Sequence, residues 1–182
     1  MINKIIPAIV IILFSVIFYV VFKEATKSAK TKRVECQTQT TTFEKIFVEE
    51  PITEAINSFK SNNYEIISDI EYSKYMKSNL INILTKEQSD EKLKTVINKY
   101  LSLDNKQNND KKVLIKYYIY ENDKEDSGKK NDEAKKYAGY LVFEFKYDNK
   151  LVYKIQTDYM NLDGNDIDER MDCAINSFIS IN

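Results

Sequence analysis

Seven residues near the C-terminus, Asp163-Gly164-Asn165-Asp166-Ile167-Asp168-Glu169, make the densest group of oxygen ligands in the sequence. Calcium takes roughly six to eight such oxygens. The order of residues departs from the D-x-D-x-D-G loop with a later Glu that a helix-flanked calcium site uses. A turn followed by an acidic first helical turn explains every one of them, through capping and the helix dipole. No metal site is therefore expected.

Cys36 and Cys173 are the only cysteines, and they form no C-x-x-C pair. One disulfide between the two ends of a domain, in an oxidising compartment, and two free thiols are both compatible with this spacing. On a helical wheel Cys173 falls roughly opposite Met171, away from the apolar stripe. The chain has no histidine, which removes the commonest general base and metal ligand. Its three glycines, Gly128, Gly139 and Gly164, are too scattered for a phosphate loop. No catalytic residue and no cofactor-binding residue is expected.

The 13 tyrosines remain. Aromatic residues on a sheet stack nucleic-acid bases only with basic residues beside them. A formal net charge of -1 gives no basic surface, so nucleic acid is not expected as a partner. Tyrosine is also enriched at protein interfaces. Tyr118, Tyr120, Tyr140, Val142 and Val152 are the candidate partner surface. The plain alternative is a sheet packed on both faces.

The elements that must position these residues follow from periodicity. Pro51 suits a first helical position, and Ile52, Ala55, Ile56 and Phe59 repeat at helical spacing. A second helix is expected over Ile66–Leu84, with Tyr72, Tyr75, Met76, Leu80, Ile83 and Leu84 in one stripe. A third is expected over Glu87–Leu103, begun by the capping-box sequence Thr85-Lys86-Glu87-Gln88. Val113, Ile115, Tyr117 and Ile119 alternate as in a strand. Residues 121–136 read as a charged, solvated loop.

Tyr137–Tyr159 reads as a β-hairpin. A two-residue turn at Asp148-Asn149 would set the apolar face of one strand against a charged face of the other. A three-residue loop, Asp148-Asn149-Lys150, pairs Tyr147 with Leu151, Phe145 with Tyr153 and Phe143 with Ile155. The face of Phe143, Phe145, Tyr153 and Ile155 should carry the helices. A last helix should follow Asp166, read as a capping residue, with Ile167, Met171, Ala174, Ile175 and Phe178 facing inward.

At the other end, Ile5–Phe22 holds 18 residues without a charge. At about 1.5 Å per residue it spans roughly 27 Å, enough for one bilayer crossing. The bulky run Phe18–Phe22 ends directly at Lys23, which argues for an uncleaved anchor rather than a signal peptide. Residues 1–22 are then the tail and anchor, 23–50 a polar stalk, and 51–182 an α+β domain of helices on a small antiparallel sheet. The lipid bilayer is the first partner expected, through Ile5–Phe22. Lys23, Lys27, Lys30, Lys32 and Arg33, against Lys4, place the domain slightly in favour of the cytoplasmic side. The usual habit of small N-terminally anchored domains is to face outward.

The order of elements resembles the cone-shaped NTF2-like architecture, and also small membrane-anchored assembly domains. The first resemblance implies a small-molecule pocket between helices and sheet, for binding or catalysis. The second implies a non-enzymatic accessory or assembly subunit that meets another membrane or membrane-proximal protein. The second is the reading preferred from sequence.

Overall fold

The strand Val113–Glu121 alternates buried and less buried side chains along its length, as its β-branched and aromatic residues require of a pleated surface. It is β3 of a computed structural model that describes residues 32–102, 111–128 and 136–181. The Ile5–Phe22 segment lies outside the described residues. Among those described, no helix is long and apolar enough to cross a membrane.

In chain order the elements are α1 (Gln37–Thr40), β1 (Thr41–Ile46), α2 (Ile52–Lys60), β2 (Tyr64–Glu71), a 3-10 turn (Leu80–Asn82), α3 (Lys86–Asn98), β3 (Val113–Glu121), β4 (Gly139–Tyr147), β5 (Lys150–Tyr159) and α4 (Ile167–Ile179). The five strands form one sheet in the order β1-β5-β4-β3-β2. The fold is α+β as expected, but the sheet is mixed. β2 and β3 run parallel. Parallel neighbours need a long crossover, and α3 supplies it.

β2 occupies the start of the segment expected as the second helix. Tyr64, Ile66, Ser68 and Ile70 pair with the core-facing residues of β3, while Glu65, Ile67, Asp69 and Glu71 point away. The helical spacing of residues 72–84 is overridden by two carboxylates at the end of β3. Glu121 accepts from the backbone N–H groups of Ser73, Asn79 and Leu80 at 3.0, 2.7 and 3.1 Å, and from the Ser78 hydroxyl. Asp123 accepts from Lys74, Tyr75 and Met76 N–H at 2.7, 2.6 and 3.2 Å. A loop whose amides are satisfied this way has no need of helical hydrogen bonds.

The capping box forms as expected. The Thr85 hydroxyl accepts from Gln88 N–H, and Gln88 Oε1 accepts from Thr85 N–H. Asp166 does not cap α4 with its side chain. Its carboxylate turns back to accept from Met160 and Asn161 N–H, at 2.8 and 3.2 Å, and from Arg170.

The hairpin keeps the expected pairs Phe145–Tyr153 and Phe143–Ile155, but not the expected loop. The turn has two residues, Asp148 and Asn149, both at positive φ, the geometry that matches strand twist. Tyr147 pairs with Lys150, and a register shift beyond Phe145 leaves Val152 as an extra residue. This β-bulge restores the apolar register that a plain two-residue turn would have lost.

Every described helix packs on the face of Phe143, Phe145, Tyr153 and Ile155, all fully buried. Phe145 stacks on Phe178 of α4 at 4.1 Å between ring centroids, and Phe59 of α2 meets Phe178 edge-on. Burying each such ring is worth about 2–3 kcal/mol.

The stretch 33–46, expected as stalk, belongs to the folded unit, which begins at Arg33. β1 pairs with β5. Cys36, beside α1, is bonded to Cys173 of α4, with Cα atoms 5.7 Å apart. Of the two readings left open by the sequence, the structure takes the disulfide. Cys173 is buried, in its bond to Cys36, rather than turned to solvent. Gln37, fully buried, completes the seam: its amide donates to Glu44 and to the Ser177 hydroxyl, each at 2.9 Å. Arg33 also binds Glu44.

Candidate functional site

No described helix covers the second face of the sheet. Ile67 and Phe43 on it are 47% and 42% exposed. Its side chains lie in rows across the strands. Glu71, Tyr120, Tyr140 and Asp158 are successive cross-strand partners. The next row runs Asp69, Tyr118, Val142, Gln156 and Phe43. The third runs Ile67, Lys116, Glu144, Lys154 and Lys45. The face is thus polarised. Two rows carry tyrosines and carboxylates without Lys or Arg, and the third carries lysines around Glu144.

The tyrosines form a ladder. Tyr120 stacks on Tyr140 at 4.7 Å between centroids, and Tyr118 meets Tyr140 edge-on at 6.2 Å. Such pairs contribute about 0.5–1.5 kcal/mol beyond their buried area. Burial pushes the Tyr140 hydroxyl well above its usual pKa, helped by Tyr118, Tyr120 and Glu71, so the ring stays neutral. At the third row the Lys154 hydrogen bond and charge hold the Glu144 carboxyl below its usual range, against burial.

Of the five residues expected as a partner surface, Tyr118, Tyr120, Tyr140 and Val142 share this face. Val142 is already buried. Val152 is not with them: the bulge places it in the hydrophobic core, fully buried. The cross-strand alternation carried the first four. Nothing in the sequence marked Asp158, 4% exposed, as part of the site. Burial pushes its carboxyl up, and hydrogen bonds from Gln156 and Thr42 offset this only in part.

The Asp163–Glu169 run does not converge on a cation. The Asp163 carboxylate accepts from the backbone and side-chain amides of Asn165. Among the described residues no group of three or more His, Cys, Asp or Glu could hold a metal ion. The space between helices and sheet, where the alternative NTF2-like reading would put a pocket, is filled by Phe59, Phe143, Phe145 and Phe178. Comparison with family models, curated proteins and solved structures finds no match.

Proposed function

We propose that this chain is a membrane-tethered, non-enzymatic interaction subunit. In this reading Ile5–Phe22 crosses a bilayer, and the domain from Arg33 onward docks a membrane or membrane-proximal protein through its open sheet face. The observation that carries the reading is the tyrosine ladder Tyr118–Tyr140–Tyr120 on a face that no described helix covers. Tyrosine supplies a large rigid contact area together with a polar tip, the combination enriched at interfaces. The polarised rows give such a contact a direction, since a partner must oppose acids at one end and lysines at the other.

We place the domain on the oxidising side of its membrane. The Cys36–Cys173 bond supports this, because such bonds persist outside the reducing cytoplasm. Flanking charge pulled weakly the other way. Large domains cross membranes largely regardless of such charge.

The test is capture from native membranes in mild detergent, comparing the full chain with the Tyr118→Ser/Tyr140→Ser variant. A stoichiometric associate that is retained by the parent and lost by the variant is the expected result. Recovery of monomer alone from both, or equal retention by both, would overturn the reading.

A further inference from the structure

At the Asp158 end of the first row the open face deepens into a groove of about 350 Å³. Tyr120, Tyr137, Tyr140, Asp158, Gln156 and Thr42 are among the residues that line it. Thr42 joins this lining at a defect in the edge pairing. β1 shifts register between Thr41 and Phe43, which leaves Thr42 as the bulged residue, lining the groove. Bulges re-aim side chains in this way beside functional sites. Gln156 Nε2 donates a hydrogen bond to Asp158 Oδ1, a long one at 3.5 Å.

That donor is neutral. Among the described residues no Lys or Arg forms an ion pair with it. A carboxylate held out of water without a counter-charge is costly. A cation in the groove would supply that charge. An anion would instead meet Asp158 and, along the same row, Glu71. A hard metal ion needs more oxygens than one carboxylate and two amide or hydroxyl groups present. Tyrosine rings and one carboxylate lining the same groove suit a different ligand, an organic cation held by aromatic rings and one charge.

The geometry points to this groove as a binding site for an alkylammonium group, held by the Asp158 carboxylate and the rings of Tyr120, Tyr137 and Tyr140. The group arrives either on a free small amine or on a lysine side chain of a docked protein. The site does not depend on the docking reading. Choline binding can hold while capture fails, and the reverse.

The experiment titrates the full, 15N-labelled chain in maltoside micelles, which carry no ammonium, and follows the Gly139, Tyr140 and Asp158 amide resonances. Choline is compared with 3,3-dimethyl-1-butanol, its neutral isostere, and with the peptide acetyl-Gly-Gly-Lys-Gly-Gly-amide. Choline or the lysine peptide should bind at least tenfold more tightly than the neutral alcohol, and the tighter of the two names the source. Asp158→Asn and Tyr140→Leu should each weaken binding at least tenfold, whereas Tyr140→Phe, which keeps the ring, should bind within about twofold of the parent. Equal affinity for choline and the alcohol, no shift with either cation, or undiminished binding by a folded Asp158→Asn variant would overturn the site.

Discussion

Glu121 holds both ends of the loop between β2 and α3. Its Oε1 takes the Asn79 and Leu80 amides and its Oε2 takes Ser73 and Ser78. Burial alone would push its carboxyl up, but these hydrogen bonds outweigh burial and hold it below its usual pKa. A carboxylate depressed in the folded state contributes stability that is fully present above the ordinary range of about 4.3. That contribution is lost as pH falls through the depressed value. Glu121→Gln should therefore cost about 2 kcal/mol at neutral pH and flatten the acid limb of the stability curve below the ordinary carboxylate pKa of about 4.3. Thermal unfolding across that range checks it. An unchanged acid limb would show that Glu121 does not clamp the loop. The clamp was not legible in the sequence, where Glu121 and Asp123 open a charged run. Only the fold brings residues 73–80 against them.

At the scale of elements, the disulfide fastens α1 to α4 across 137 residues of sequence. Cys36→Ser or Cys173→Ser should lower stability by about 3 kcal/mol, a drop of roughly 9 °C in Tm. In intact cells, a thiol-reactive polymer should modify neither cysteine until reductant is added. Modification of both without reductant would remove the bond and the argument for an oxidising compartment together. The sequence offered the pair but could not join it, since Cys173 lay off the apolar stripe and α1 was hidden in a polar run. The hairpin was more legible. The apolar alternation of Phe143, Phe145, Tyr153 and Ile155 required those pairs to share a face, and they do. The loop was misread because one extra residue can enter at the turn or at a bulge. Both satisfy the same pattern, and Val152 took it. β2 was hidden differently. Its eight residues adjoin the helically spaced 72–84, and the tertiary clamp overrode that local period.

For the whole molecule, the sheet divides labour between its faces. One is sealed by α2, α3 and α4 around Phe145 and Phe178. The other keeps its tyrosines in a ladder and its charges sorted into rows. The sorting follows from period-two alternation, which is why the shared face of Tyr118, Tyr120, Tyr140 and Val142 was legible before the fold was known. The groove at Asp158 was not, because it needs a bulge in β1, a strand inside the stretch read as stalk. The most direct measurement of the proposed role is site-specific photo-crosslinking in native membranes. A photoreactive residue would replace Tyr118 or Tyr120 on the open face, and Lys94 or Thr95 on the solvent side of α3. If the open face docks a partner, adducts form from positions 118 and 120 and not from 94 or 95. Adducts from α3 alone, or from no position, would contradict it.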